Sequence, residues 1–408
     1  GDQAFMIALV WLLVGLTGSS LMMGAVLSAS YVPTLLLLLF GGAIADHFSR
    51  RGIALLSDGL RALVTAVFAA LVTLHLITVT EVFVFSAFYG LVSAFFGPAV
   101  AALYPTLVSP EQYDGATSLR QITTQAAALG GPALGGLLIA QWSIGVALVF
   151  DAATFVVSFA AFALLRGRRA QAAPVEAAGA SAAPQRASRW REMFAGLQFL
   201  RTEPATLTLI LFFSLTNGLN DVEAVLVPRL ARLDLRLSAT EFGLMAACMG
   251  VGGLIGAFIA GMAPPRLRWR AQFIYGSMLI FGGAIVTMGL ARDALTLDLA
   301  YGVMGVSFAV PEVLSGALFQ RIIPNDMLGR VVSVISLLAM ALNPAGLFLA
   351  GWLGDTVGLR AGLWVGGGAI VTLALVALFT PTIRALNRLD AASQLALTEV
   401  TALVEGIE

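Results

Sequence analysis

The sequence predicts an all-α membrane protein with twelve transmembrane helices arranged as two six-helix bundles. Three observations carry this expectation. The 408-residue chain is 59% hydrophobic and only 11% charged, whereas soluble domains are about 25% charged, and its mean hydropathy is +0.92. Its apolar residues fall into twelve runs, roughly 1–17, 21–45, 53–75, 81–104, 116–141, 144–165, 205–228, 241–262, 271–291, 296–320, 329–353 and 360–381. One polar stretch, 166–192, divides six runs from six.

Taken in order, the runs are separated by turn-forming residues: Gly18-Ser19-Ser20, Ser109-Pro110-Glu111, Glu203-Pro204, Pro264-Pro265 and Ile323-Pro324-Asn325. The first run, Phe5–Thr17, is shorter than the roughly 20 residues a helical span needs. The start of helix 1 is therefore expected before Gly1. No basic region precedes this run, so it does not read as a signal peptide. The domains follow: a bundle over 1–165, a linker over 166–203, a second bundle over 204–384 and a tail over 385–408. The linker is rich in Ala, Pro, Ser and Arg and reads as flexible. Within it, Trp190–Arg201 has the pattern of a surface amphipathic helix.

Every basic residue is Arg, and all but Arg229, Arg232, Arg236, Arg292 and Arg360 of the 23 fall on the side of the linker and tail. That bias places the linker and both termini in the cytoplasm. An internal repeat supports two related halves. Pro110-Glu111-Gln112-Tyr113-Asp114-Gly115 precedes span 5, and Pro324-Asn325-Asp326-Met327-Leu328-Gly329 precedes span 11. Gly135-Gly136-Leu137 and Gly351-Trp352-Leu353 recur at nearly the same offset.

Zero net charge argues against a nucleic-acid partner. The lone Cys248 lies in an apolar run and reads as packing, and His47 and His75 are far apart, so neither a metal site nor a cofactor is expected. No nucleophile–base constellation or phosphate-binding loop is visible, which speaks against an enzyme.

The loop after span 2 reads Gly42-Ala43-Ile44-Ala45-Asp46-His47-Phe48-Ser49-Arg50-Arg51. It resembles the motif between helices 2 and 3 of major facilitator superfamily transporters, Gly-x-x-x-Asp-Arg/Lys-x-Gly-Arg-Arg/Lys. Gly42, Asp46, Arg50 and Arg51 match; His47 replaces a cation, and Ser49 stands where Gly would permit a positive φ more cheaply. The resemblance implies a gating loop, with Asp46 facing the N-terminal end of a helix in the other half and Arg50 paired with a neighbouring acid. Asp58 and Arg61, at i and i+3 in span 3, can form an ion pair that supports this gate. The combination resembles the drug:proton antiporter branch that includes macrolide and enterobactin exporters. In span 5, Gly131-Pro132-Ala133-Leu134-Gly135-Gly136 is similar to that branch's Gly-Pro-x-x-Gly-Gly motif, with Ala127 in place of an upstream Gly. Gly131 and Gly135 would let another helix approach closely, and Pro132 favours a kink. Gly250, Gly252, Gly253 and Gly256 in span 8 read as packing.

Acids inside spans are costly and mark cavities or partners. Asp2 lies in helix 1; Asn217, Asn220, Asp221 and Glu223 in helix 7, read as one polar stripe; Glu312 in helix 10; Asp151 in helix 6. Helices 1, 4, 7 and 10 line the cavity in the superfamily the chain resembles. Asp221 or Glu223, then Glu312 and Asp2, are the candidates for proton coupling, with Asp151 ranked lower. The alternatives are neutral structural acids, or a salt bridge from Glu223 to Arg229 or Arg232. Asn217, Asn220, Tyr31 and Phe308 are candidate cavity residues; Phe212, Phe213 and Met304 could equally be packing. The implied function is proton-coupled export of a drug-like or amphipathic compound or a siderophore, by a monomer in a bacterial inner membrane. Its partners would be lipid, substrate and protons. An uptake symporter and a lysophospholipid flippase are the other transport readings, and a membrane-embedded enzyme is a further class.

Overall fold

Several of the helices start where the sequence offers a side-chain cap. In the computed structural model, residues 1–40, 49–103, 107–109, 112–165, 197–198, 200–262, 269–323, 327–380 and 387 are described. Gly42, Asp46 and His47, most of the linker and nearly all of the tail lie outside them. The helices are α1 (Asp2–Leu16), α2 (Ser20–Phe40), α3 (Arg50–Thr73), α4 (Val79–Leu103), α5 (Tyr113–Gln141), α6 (Ile144–Leu164), α7 (Pro204–Arg229), α8 (Ala239–Gly261), α9 (Arg270–Leu290), α10 (Ala294–Ile322), α11 (Leu328–Ala341), α12 (Asn343–Thr356) and α13 (Leu359–Phe379). Ser49, Ser143, Ser238 and Asp293 cap α3, α6, α8 and α10 by accepting a bond from a first-turn N–H. Ser238 and Glu241 complete a reciprocal capping box. Ser49, the departure from the motif's Gly, has φ −65° and ψ 132°, so no positive φ is required there.

Eleven of the described helical segments are long and apolar enough to span a bilayer, and α1 is a shorter apolar helix. α11 and α12 form one span, interrupted at Leu342 just before Pro344. The outward faces are apolar: Val157, Phe258, Ile280 and Phe379 are among the exposed residues. Water does not tolerate apolar surface on this scale, and lipid does. The chain is a multi-pass membrane protein.

The helices form two units. The first comprises Gly1–Leu16 with Val26–Glu192; the second comprises Thr17–Ala25 with Met193–Glu408. The beginning of α2 thus belongs with the second unit and its remainder with the first. In the first unit, α1 packs on α5 and α6, and α3 packs on α4 and α6. Phe5, Phe68, Phe85, Tyr89 and Phe155 form an aromatic core there, Phe68 and Phe85 stacking at 4.1 Å. In the second unit, α7 packs on α11, α12 and α13, and α9 packs on α10 and α13. With α11–α12 counted as one span, the pairing of first with fifth and sixth, and of third with fourth and sixth, occurs in both units.

Glycine permits the closest crossings. A Cβ on Gly252 would lie 2.0 Å from the Gly302 carbonyl, and one on Gly256 2.4 Å from that of Val306, so α8 and α10 meet backbone to backbone. Gly253 faces open space. Of Trp190–Arg201, residues 197, 198, 200 and 201 are described and helical. Leu200 is buried with Ile210, Ile323, Val331 and Val334, so it is core rather than a membrane-surface anchor.

Candidate functional site

α7 is apolar along most of its length, which makes its interior polar residues conspicuous. Asn217, Asn220, Asp221 and Glu223 do not form the single stripe expected. At about 100° per residue, positions 221 and 223 point to nearly opposite sides, and the structure separates them accordingly. Glu223 accepts a hydrogen bond from the Tyr301 hydroxyl of α10. Tyr301 is buried, at 4% exposure. Asp221 turns toward α12, where a Cβ added to Gly346 would lie 2.6 Å from its Oδ2. Asn217 donates to the Ala339 carbonyl of α11 at 3.3 Å, and Ser214 donates to the Leu338 carbonyl. Asn220 is half-buried, and its Oδ1 has no hydrogen-bond partner.

The alternative salt bridge from Glu223 to Arg229 is corrected by the same geometry. Arg229 points along α7 to its end. It donates to the Ser20 hydroxyl, to the Gly18 carbonyl at 2.5 Å and to Asp355 at 3.2 Å. Asp355, on α12, also accepts from Ser19 Oγ at 2.5 Å, Ser20 N at 2.6 Å and Leu21 N at 3.0 Å. It therefore caps the free N–H groups that open α2. This clamp lies within the second unit, and a single sequence gives no signal for it: the residues are 335 apart. Nearby, Arg360 donates to the Gly289 and Ala291 carbonyls and pairs with Asp234 at 3.5 Å. Two of the five arginines on the arginine-poor side thus hold helix ends together.

Glu312 is exposed on α10, Phe308 is 37% exposed with its ring 6.0 Å from that of Phe281, and Tyr31 on α2 is partly exposed. The structure does not bring Glu312 into a shared hydrogen bond with Asp221 or Glu223.

The first unit has its own charged cluster. Asp58 and Arg61 pair at 2.5 Å, both buried, as their spacing predicts. Ser158 of α6 donates to Asp58 at 2.6 Å, and the Arg61 guanidinium lies 4.0 Å and 4.6 Å from the ring centroids of Phe96 and Phe155. Asp2 accepts from the Tyr89 hydroxyl at 3.0 Å. Asp151, ranked low from sequence, is fully buried with neither carboxyl oxygen hydrogen-bonded. Of the gating loop, Arg50 is exposed, and Arg51 donates to the Phe162 and Ala163 carbonyls at 2.9 and 2.7 Å, securing the end of α6. Gly131 and Gly135 do admit a close neighbour: added Cβ atoms would lie 2.5 Å from Gln3 Cβ and 2.8 Å from Ala4 Cα of α1. Pro132 and Gly136 are buried in α5, which continues through the proline.

The chain and its fold resemble known proteins. The chain is 28% identical over 406 residues to the multidrug efflux pump Tap of Mycolicibacterium fortuitum, covering 95% of this chain and 94% of that protein. It is 23% identical over 392 residues to macrolide efflux protein A of Streptococcus pyogenes, covering 94% and 92%. Among solved structures, a bacterial homologue of the iron transporter ferroportin in an inward-facing state superposes with a TM-score of 0.67 at 20% identity, covering 93% of this chain and 94% of that one. The nucleoside transporter NupG superposes with a TM-score of 0.67 at 15% identity, covering 92% and 96%. The family model of the Major Facilitator Superfamily matches residues 1–342, and the chain belongs to that family of transporters.

Proposed function

We propose that the protein is a proton-coupled exporter of drug-like or amphipathic small molecules, and that Glu223, held by Tyr301, carries the coupling proton. The exporter reading is supported by relatives named for multidrug and macrolide efflux that match nearly the full chain. It is also supported by the Gly131/Gly135 face, whose motif resembles that of antiporters. The observation that carries the coupling assignment is the Glu223–Tyr301 hydrogen bond. A carboxyl inside an apolar bundle needs a partner. A phenol can donate to the ionised form and accept from the protonated one, so it serves both states. For protonation to drive transport, substrate must bind the two protonation states differently. The protein would act as a monomer in a bacterial cytoplasmic membrane, with both termini in the cytoplasm.

The test is efflux from cells and counterflow in everted vesicles, with and without a protonophore. Glu223→Gln is expected to abolish proton-driven efflux at normal expression. Tyr301→Phe removes a hydrogen bond to a charged group, worth about 1.5–3 kcal/mol, so efflux should fall by about tenfold or more. Unimpaired proton-driven efflux in Glu223→Gln would refute the assignment.

A further inference from the structure

We propose that Asp221 is a second proton-binding site, whose proton fastens α7 to α12 and whose release loosens that crossing. The site lies wholly in the second unit. It goes beyond the Glu223 assignment and does not depend on it, because Asp221 faces α12 whereas Glu223 is bonded to Tyr301 of α10.

One face of α7 runs along the broken span α11–α12. Ser214, Asn217, Gly218 and Asp221 are spaced three or four apart and share that face. Its first two polar members are donors: Ser214 gives to the Leu338 carbonyl, and Asn217 to that of Ala339 at 3.3 Å. Gly218 then brings the helices into contact, since an added Cβ would lie 3.1 Å from Leu342 Cβ and 3.3 Å from the Leu342 carbonyl oxygen. Asp221 is next and reaches Gly346. Backbone donors there are spent or missing. The Gly346 N–H goes to the Leu342 carbonyl at 2.8 Å, and Pro344 has none.

At this point Asp221 meets oxygen and no donor. A Cβ added to Gly346 would lie 2.2 Å from the Gly218 carbonyl oxygen and 2.6 Å from Asp221 Oδ2, so two oxygens crowd one spot on the α12 backbone. Oδ2 is buried without a hydrogen-bond partner, and the residue is 7% exposed. An ionised carboxylate would turn its charge on a carbonyl oxygen and an apolar helix, which is costly inside a bundle. A protonated carboxyl is neutral and has an O–H to give. It continues the row of donors that Ser214 and Asn217 begin.

The charged groups on the surrounding elements do not replace that proton. On α7 itself, Glu223 adds like charge to the same segment, and Arg229 is held by Ser20, Gly18 and Asp355. Arg232 and Asp234 lie beyond Arg229, in the turn that ends this span. α11 carries Arg330 at its start, the far end of the broken span from α12. α12 carries Asp355 at its end, where it caps α2. α13 carries Arg360 at its start, bound to Asp234 and two carbonyls. Pro344 has already removed a backbone bond from the broken span, so contact with α7 helps to hold the two halves of that span. Ionised Asp221 would push on this contact at Gly218 and Gly346, where the backbones are closest.

The experiment uses the purified full chain in detergent with Glu223→Gln, so that the other carboxyl of α7 is silent. Infrared difference spectra follow the carbonyl stretch of protonated carboxyls from acid to alkaline pH. Spin labels on Leu215→Cys of α7 and Phe348→Cys of α12, after Cys248→Ala, report the separation of the two helices by pulsed electron resonance; both native side chains are exposed. A protonated-carboxyl band is expected that alkali removes reversibly, with the labels moving apart in step. Asp221→Asn should delete the band and keep the short separation at every pH, because its amide still donates. If Asp221→Asn does not fold, Asp221→Glu decides: it keeps a carboxyl and should shift the band. A band untouched by either substitution, a band that survives alkali unchanged, or a separation that stays fixed while the band is lost would overturn the proposal. None of these readouts measures efflux, so failure here leaves the Glu223 assignment to its own test.

Discussion

Arg61 shows what one side chain must do to reside inside a lipid-embedded helix. Its charge is shared between Asp58 at 2.5 Å and the faces of Phe96 and Phe155, and Asp58 is tied in turn to Ser158. Removing one member of a buried pair leaves the other without compensation, at a cost of about 3–5 kcal/mol, whereas removing both charges together costs much less. Arg61→Met is therefore expected to lower the unfolding midpoint strongly, and Asp58→Asn with Arg61→Met to recover most of the loss. Thermal unfolding of the three purified proteins measures this; equal destabilisation by the single and double changes would contradict it. The pair was legible in sequence because i and i+3 on one helix fixes the distance. The Glu223–Tyr301 bond was not, since it depends on how two helices are rotated about their axes. The position of Asp151 in helix 6 was readable too, but its complete burial with neither carboxyl oxygen hydrogen-bonded was not.

At the scale of elements, the spans themselves were readable because bilayer thickness imposes a length on every apolar run. The interruption of span 11 was less so. Pro344 was visible, but its effect depends on Ser214 and Asn217 of α7 covering the carbonyls it disturbs. The opening of α2 is a similar case. Ser19 and Ser20 read only as a turn, yet Asp355 and Arg229 organise them into a capped helix start seated on Gly351 and Gly354, where added Cβ atoms would lie 2.5 Å from Ser20 atoms. A carboxylate accepting from two backbone N–H groups and a hydroxyl is stronger than any neutral cap. Asp355→Ala should therefore free the first turn of α2, raising amide hydrogen exchange at Ser20, Leu21 and Met22 by about tenfold or more, as loss of about 1.5–3 kcal/mol requires. Asp355→Asn should retain part of the protection, because an amide oxygen still accepts. Unchanged exchange in the alanine variant would mean that packing on the two glycines alone secures the turn.

For the whole molecule, the repeated pairing of helices in the two units gives the sequence repeat a structural meaning. Matching turn and glycine motifs precede or lie within spans 5 and 11, which pack on α1 and α7 respectively. Under the proposed orientation the arginine bias gives this architecture its direction, and two of its exceptions have a structural reason. Arg229 and Arg360 sit on the arginine-poor side because each is bound to carbonyls and an acid, so neither is a free topogenic charge. The orientation can be measured with single cysteines after Cys248→Ala. Trp142→Cys lies in the turn between α5 and α6, where the native residue is 68% exposed, and should react with a membrane-impermeant maleimide in intact cells. Ser181→Cys in the linker should react only after the membrane is opened. The reverse pattern would place the linker outside, and would require the sequence-wide arginine excess to face the periplasm against the usual charge rule.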